Sequence, residues 1–226
     1  MQVFARTKIF DMYPQDAGKT DSGPLLELHS LRCERDDRLL FSDLDLQLNA
    51  GEVVQIRGGN GSGKTTLLRI LCGLNTSFEG EVDWFPGSDM ASQQDLFRQL
   101  LYIGHRVGVN KTLTPLENLR WSCGLHRPVS DARLIEALTD FGLSGFEESQ
   151  CFTLSAGQQQ RVSLSRLLVS DARVWILDEP FTTLDVHGVA RLESLLGEQA
   201  LAGGAVLVTT HHPLNVPNLK VLELGR

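Results

Sequence analysis

A glycine-rich stretch of the chain carries the residue types that bind phosphate groups. It comprises Gly58, Gly59, Asn60, Gly61, Ser62, Gly63, Lys64, Thr65 and Thr66. This is the pattern G-x-x-x-x-G-K-[ST], in which backbone N–H groups turn toward phosphates and the lysine reaches the β- and γ-phosphates. The N-terminus of a following helix adds about half a positive charge at the same point. The stretch predicts a nucleoside triphosphate site, with Lys64 among its catalytic contacts.

Three further polar residues stand where apolar runs end and could complete such a site. Asp178 and Glu179 follow one run, and His211 follows another. Together with the Thr65 hydroxyl, Asp178 is predicted to hold Mg²⁺, an ion that prefers oxygen ligands. Glu179 is predicted to polarise the attacking water, and His211 to contact the γ-phosphate or orient that water. The predicted chemistry is hydrolysis of a nucleoside triphosphate.

Each of these signals, taken alone, has an ordinary structural explanation. A glycine-rich turn can precede a solvated lysine, carboxylates at a strand end are commonly solvated charges, and a lone strand-end histidine is usually incidental. The combination favours the functional interpretation, because strands that run into one crevice bring such residues together at the carboxyl edge of a parallel sheet.

Three almost continuous apolar runs precede these residues and indicate the elements that position them. They are Val53–Ile56 before the glycine-rich loop, Val174–Leu177 before Asp178, and Ala205–Val208 before His211. Such runs are typical of parallel strands that are covered on both faces. They predict an α/β fold with the site at one edge of its sheet.

A small antiparallel β layer is predicted ahead of the first buried strand. Short apolar runs at Leu25–Leu28, Leu39–Phe41 and Leu44–Leu48 favour short strands. The polar pair Asp36 and Asp37 predicts the turn that joins them.

One domain, residues 24–226, is expected behind a short leader. Residues 1–23 mix polar, glycine and proline residues without a period, which is typical of a flexible leader or an expression remnant. Between about 90 and 165, helical spacing prevails, for example at Leu134 and Leu138, and it predicts a helical insertion.

The composition excludes several classes of protein. Of 226 residues, 42% are hydrophobic and 22% charged, so a sizeable core is expected. The formal net charge of −7 argues against broad binding of nucleic acid, and no nucleic-acid partner is expected. No run approaches the ~20 apolar residues that span a bilayer, so we expect the chain to stay in the cytosol. Cys33, Cys72, Cys123 and Cys151 form no CxxC pair, which indicates neither a zinc site nor a disulfide framework.

A second phosphate-facing helix start is indicated by the run LSAGQ at residues 154–158. This run resembles the LSGGQ signature of ABC ATPases, and the loop, the carboxylates and the histidine occur in that family's order. The resemblance covers residues 25–226. It implies the ABC variant of the P-loop NTPase fold, with a RecA-like parallel-sheet core, an antiparallel β layer and a helical subdomain.

In that family the signature faces the γ-phosphate of ATP bound by a second subunit. The resemblance therefore implies that Ser155, Gly157 and Gln158 contact ATP held by another copy. It also implies a homodimer in the ATP-bound state, with ATP and Mg²⁺ as ligands. The pair Leu184 and Asp185 resembles the D-loop that communicates between the two sites.

Two positions depart from the common family pattern. His105 stands where most members have a glutamine that senses Mg²⁺ and the membrane partner, so His105 is a candidate metal contact through a water. Arg35 stands near the place of the aromatic residue that stacks on adenine. Its guanidinium could stack on the base, or Arg35 could be an ordinary surface residue.

Several segments are more similar to one branch of the family, the ATP-binding subunits of the heme exporter in bacterial cytochrome c maturation (CcmA family). These segments are CERD at 33–36, YIGH at 102–105, LTPLENL at 113–119, LSAGQQ at 154–159 and WILDEPFT at 175–182. The resemblance implies an ATPase at the cytoplasmic face of the bacterial inner membrane, coupled to the integral membrane subunits of that exporter. The alternatives are the ATPase of another small exporter and a non-transport assembly module.

Overall fold

The computed structural model describes residues 23–88, 92–124 and 128–225 of the chain. Its strands are β1 (Leu26–Arg35), β2 (Arg38–Leu48), β3 (Val53–Arg57), β4 (Glu79–Trp84), β5 (Leu100–Ile103), β6 (Val174–Asp178), β7 (Ala205–Thr209) and β8 (Leu219–Glu223). Its α-helices are α1 (Lys64–Leu71), α2 (Gln93–Gln99), α3 (Pro115–Gly124), α4 (Asp131–Asp140), α5 (Ala156–Leu164) and α6 (Val186–Leu201). The predicted leader, residues 1–23, lies outside the described residues except for Gly23.

Five parallel strands form the sheet on which the site is built, in the order β5-β6-β7-β3-β8. The three long apolar runs are β3, β6 and β7, which lie next to one another at its centre. Every residue of β6 and β7 is buried, because both faces of the sheet are covered. The prediction of buried parallel strands is confirmed.

Alternate residues of the central strands point into two separate hydrophobic cores. In β6, Trp175 and Leu177 face the core that also takes side chains from α3, α4, α5 and α6. Val174 and Ile176 face the core shared with α1 and the antiparallel strands. This alternation is the two-residue period of a β-strand, and it fixes which residues can reach the carboxyl edge of the sheet.

The antiparallel layer is a three-stranded sheet in the order β2-β1-β4. The turn between β1 and β2 is formed by Asp36 and Asp37, whose φ angles are 53° and 58°. Two consecutive residues with positive φ are what a tight hairpin turn of type I′ requires. The predicted antiparallel layer and its turn are confirmed.

The strands within this layer differ from those predicted. Leu39–Phe41 and Leu44–Leu48 lie on one strand, β2, instead of on two. A register shift near Leu31 of β1, opposite a stretch in which Asp43 has a φ of 50°, interrupts the pairing. Such a β-bulge breaks the apolar alternation that sequence patterns rely on. The third strand, β4, has no fully buried residue and therefore carries no clear apolar pattern.

Helices α3, α4 and α5 pack together in the first of the two cores. They contribute Leu119, Leu134 and Val162 to it, among others. The interval 90–165 also contains β5, an edge strand of the parallel sheet, so the helices that pack together begin only at Pro115. The boundaries of the helical insertion stay a prediction. Within the described ranges, no helix is both long and apolar enough to cross a membrane.

Candidate active site

A cavity of about 500 Å³ opens where β3, β5 and β6 end. Of the predicted loop residues, it is lined by Gly59, Asn60, Gly61, Gly63, Lys64, Thr65 and Thr66. His105, Asp178 and Glu179 line the same cavity. The fold therefore brings together the glycine-rich loop and both strand-end carboxylates, although more than 100 residues separate them in the chain.

Gly58 and Ser62 belong to the loop but do not line the cavity. The φ of Gly58 is 152°, and a Cβ there would lie 2.5 Å from Ser62 Oγ and 2.6 Å from the carbonyl oxygen of Leu224. Only glycine fits this close approach between the ends of the neighbouring strands β3 and β8. The buried Ser62 Oγ has no hydrogen-bond partner among the residues that the structure describes. Gly58 and Ser62 therefore pack against each other on the side of the loop that faces away from the cavity.

Lys64 begins helix α1, and its ammonium group lies over the loop. Its Nζ atom donates hydrogen bonds to the carbonyl oxygens of Gly58 at 2.7 Å and Gly59 at 3.3 Å. Gly63 precedes it with a left-handed φ of 99°, which turns the chain from the loop into the helix. The ammonium group and the N-terminus of α1 together present positive charge to the cavity.

Asp178 ends β6 and is held by two hydroxyl groups. Thr65 Oγ1 donates to its Oδ2 atom at 2.8 Å, and Thr209 Oγ1 donates to its Oδ1 atom at 2.7 Å. Asp178 is 2% exposed, so its carboxylate is fixed in place. A hydroxyl beside a carboxylate is a donor set of hard oxygens, which fits Mg²⁺. Sequence reasoning found Thr65 and Asp178 but missed Thr209.

Glu179 turns sharply out of the sheet directly after β6. Its φ is 52°, in the left-handed region that residues other than glycine rarely adopt. Its backbone N–H is held by Thr209, at 3.0 Å from the carbonyl oxygen and 2.9 Å from Oγ1. The turn places the Glu179 side chain on the cavity. Its Oε1 atom lies 3.7 Å from Nε2 of His211, which does not itself line the cavity.

His105 follows β5 and lies on the cavity with the two carboxylates. A Cβ at the preceding Gly104 would lie 2.8 Å from Tyr102 Oη, so the Tyr102 ring packs against the backbone at Gly104. Burial, and then the charge of Asp178, raise the pKa of Tyr102 above its ordinary value. His105 thus shares the cavity with Asp178, and its contact with a metal through a water stays a prediction.

The wall of the cavity beyond the loop comes from the β1–β2 hairpin. Arg35 lines it, with a side chain that is 68% exposed and paired with Asp36 at 3.4 Å. Arg38 and Leu40 line the same wall, and sequence reasoning missed both. Their place on the cavity could have been predicted only from the turn of the hairpin, because that turn folds β2 back beside the glycine-rich loop. Either arginine can offer a planar guanidinium to a base.

Ser155, Gly157 and Gln158 do not line the cavity of their own chain. They form the N-terminus of α5, where the Gln158 N–H donates to Ser155 Oγ at 3.2 Å and the Ser155 N–H donates to Gln158 Oε1 at 2.9 Å. This capping box confirms the predicted helix start. A Cβ at Gly157 would lie 2.9 Å from the carbonyl oxygen of Thr183, so α5 packs closely on the segment after Glu179.

Two polar contacts join α5 to that same segment. Gln160 Nε2 donates to the Pro180 carbonyl oxygen at 3.1 Å, in a buried position. Arg161 forms an ion pair with Asp185, the N-cap of α6. The hydrogen bond from the Gly188 N–H, and then the Arg161 charge, lower the pKa of Asp185. These contacts hold the helix that begins with the LSAGQ run against the segment that follows β6.

Comparison with a family model matches residues 41–182 to the ABC transporter family. A cytochrome c biogenesis ATP-binding export protein, CcmA, of Hahella chejuensis is 49% identical over 91% of this chain and 98% of its own length. The protein of the same name from Escherichia coli K12 is 50% identical, over 89% and 96%. These similarities extend over almost the whole of both relatives.

Solved structures with the same fold include an ATP-binding subunit of an ABC transporter. It has a TM-score of 0.73 and 28% identity, and the match covers 83% of this chain and 79% of that one. A dimeric bacterial ABC transporter cassette matches with a TM-score of 0.73 and 25% identity, over 89% and 97%. The predicted α/β fold with a parallel core, an antiparallel layer and helices is confirmed.

Proposed function

This chain belongs to the ABC transporter family, among its cytochrome c biogenesis ATP-binding export proteins, and from that premise we propose that ATP hydrolysis in its cavity drives a heme-exporting membrane complex. One observation carries the proposal. A positively charged phosphate loop, a fixed carboxylate and a second, outward-turned carboxylate share one cavity of about 500 Å³.

The residues of the cavity, together with the neighbouring His211, divide the work of hydrolysis. Lys64 and the backbone N–H groups of the loop bind the β- and γ-phosphates. Glu179 polarises the attacking water from the turn that follows β6. His211, 3.7 Å from Glu179, contacts the γ-phosphate or orients the water. Thr65 and Asp178 would hold Mg²⁺, which neutralises charge on the phosphate oxygens.

A homodimer in the ATP-bound state completes each site. Because Ser155, Gly157 and Gln158 lie outside their own chain's cavity, their helix start is free to face ATP bound to another copy. The N-terminus of α5 is an electropositive helix end, as phosphate binding requires. The similarity to a dimeric cassette supports this assembly.

The complex would lie at the cytoplasmic face of the bacterial inner membrane, with the integral membrane subunits of the heme exporter as partners. Heme itself need not contact this chain. The sequence has no CxxCH motif, which is the usual site of heme attachment. We infer that the chain supplies the energy for the export step.

The proposal is tested by expressing the chain with and without the membrane subunits of a cytochrome c maturation exporter. We expect co-purification and an ATPase rate that the partner stimulates. Glu179→Gln should lower the rate by about 10²–10⁴-fold, because a general base is lost, while ATP stays bound and the closed dimer is trapped. Glu81→Gln, which changes an exposed glutamate of β4, is the matched control.

Two results would count against the proposal in different ways. Normal turnover by Glu179→Gln would show that another group activates the water. If ATPase activity is intact but the chain does not associate with the membrane subunits, the assignment as an ATPase stands and the assignment to the heme exporter does not.

A further inference from the structure

Gln55 is a polar residue in the middle of the buried core sheet. It lies in β3, where the neighbouring Val53, Val54 and Ile56 are fully buried, and it is itself 1% exposed. A buried amide is stable only if its donors and acceptor are hydrogen-bonded. The partners of Gln55 therefore indicate what this position does.

The amide of Gln55 uses both its donor and its acceptor atoms. Its Nε2 atom donates to the carbonyl oxygens of Thr210 and His212, each at 3.1 Å. Its Oε1 atom accepts a 2.7 Å hydrogen bond from Arg57 Nη2. Arg57 is two residues along the same strand, so both side chains point to the same face of the sheet. Arg57 thereby fixes which end of the amide faces the carbonyl oxygens.

The two carbonyl oxygens belong to the residues on either side of His211. Strand β7 ends at Thr209, so no pairing between strands holds the backbone at His211. The His211 side chain is 67% exposed, and its 3.7 Å separation from Glu179 Oε1 is longer than a hydrogen bond. The ring is therefore placed chiefly by its backbone. Gln55 holds that backbone from the adjacent strand β3, and within the bend the His212 N–H donates to Thr210 Oγ1 at 3.0 Å.

We propose that Gln55 is a positioning residue for His211. It fixes the bend after β7 so that the imidazole stays beside the γ-phosphate and the Glu179 carboxylate. This inference rests on the role of His211 in the proposed function. Misplacement of a catalytic group by about 1 Å can cost up to 10²-fold in rate, so a measurable effect is expected.

The test compares two glutamines that make the same kind of contact. Gln55→Glu keeps the shape of the side chain but removes the amide donors. Gln199 is the matched control, because its Nε2 atom also bridges two carbonyl oxygens, those of Ala172 at 3.0 Å and Arg173 at 3.1 Å. These lie before β6, away from the cavity. We expect Gln55→Glu to lower kcat by about 10–100-fold with KM within about twofold, and Gln199→Glu to leave kcat unchanged.

A double-mutant cycle with His211→Ala shows whether Gln55 acts through the histidine. If it does, Gln55→Glu has little further effect on kcat once His211 is alanine. Equal losses in both backgrounds would overturn the positioning role. A full rate for His211→Ala would overturn the proposed role of His211 and the inference with it. A full rate for Gln55→Glu alone would overturn only the inference.

A neutral variant guards against misfolding. If Gln55→Glu does not fold, Gln55→Met places a side chain of similar length without a carboxylate at the same position. Arg57→Met changes an exposed residue, leaves Gln55 in place and releases its amide, so we expect a smaller fall in kcat. If Gln55→Met and Arg57→Met both fold and both have the wild-type rate, the inference is overturned.

Discussion

The hydroxyl of Thr209 donates a 2.7 Å hydrogen bond to the carboxylate of Asp178 across the two central strands β6 and β7. Thr209 is completely buried and Asp178 is 2% exposed. The same Oγ1 atom accepts the backbone N–H of Glu179 at 2.9 Å. One threonine thus orients one carboxylate of the site and the backbone of the other.

Thr209→Val should destabilise the fold, because valine has the same shape but cannot bond to Asp178. Leaving a buried carboxylate short of a partner typically costs about 1–3 kcal/mol. Urea unfolding without nucleotide measures this free energy. Thr139→Val, at an exposed position of α4, should change it by less than about 0.5 kcal/mol. Equal effects of the two substitutions would contradict this account.

Lys64→Ala should weaken binding of ATP, because the loop loses the ammonium group that lies over it. Hydrogen bonds to a charged group are worth about 1.5–3 kcal/mol, so the Kd should rise by about 10–100-fold. Titration with a fluorescent ATP analogue measures the change. Lys111→Ala removes an equal charge from an exposed loop, and its Kd should match that of the wild type.

Gly157→Ala should impair dimer formation with ATP. The added Cβ would lie 2.9 Å from the backbone carbonyl of Thr183, and neither backbone can yield easily, so the start of α5 must shift. Overpacking of this kind costs about 1–3 kcal/mol, which corresponds to roughly a 5- to 140-fold loss of dimer. Light scattering in the presence of ATP measures the fraction of dimer, with Gly157→Ala introduced into the Glu179→Gln protein.

The control for Gly157 is Gly124→Ala at the end of α3. A Cβ at Gly124 meets nothing within 4 Å, so the dimer should form as in the parent protein. Equal dimer formation by both alanine variants would show that the close approach to Thr183 is unimportant.

Cys72 should make the stability of the protein depend on alkaline pH. Burial raises the pKa of its thiol from 9.0 to about 12. Between these values the unfolded chain has lost a proton that the folded chain retains. The contribution is therefore complete below pH 9.0 and is lost as the pH rises toward 12, by up to about 1.4 kcal/mol per pH unit.

Cys72→Ala provides the reference for this measurement, since lysines and tyrosines also titrate in the alkaline range. The difference in unfolding free energy between wild type and Cys72→Ala should shrink as the pH is raised from 8.5 to 10.5. A constant difference would mean that the thiol ionises equally in both states.

The sequence predicts well those parts of the site whose residues are close together in the chain. Gly63, Lys64 and Thr65 are adjacent in the chain, and the turn that presents them follows from glycine and a helix start. Asp178 and Glu179 come directly after a buried strand. Such groups need only the ends of neighbouring parallel strands to meet, which the fold class already implies.

The parts that sequence misses depend on pairing between distant strands. Thr209 reaches Asp178 only because β6 and β7 are neighbours in register. Arg38 and Leu40 reach the cavity because the hairpin folds back beside the loop, and a β-bulge hides that strand's pattern. Gln55 stands within an apolar run, where its hydrogen bonds to a bend about 155 residues away leave no local signal.

The helix start formed by Ser155 and Gln158 lies outside the cavity of its own chain, and this has a consequence for the cell. In the proposed homodimer, each phosphate site is completed by the helix start of the second copy, which a lone copy lacks. Newly made chains that have not yet found a second copy would leave the ATP pool untouched. Specific activity should therefore rise with protein concentration, and in the proposed homodimer assembly would limit the consumption of ATP by unpartnered chains.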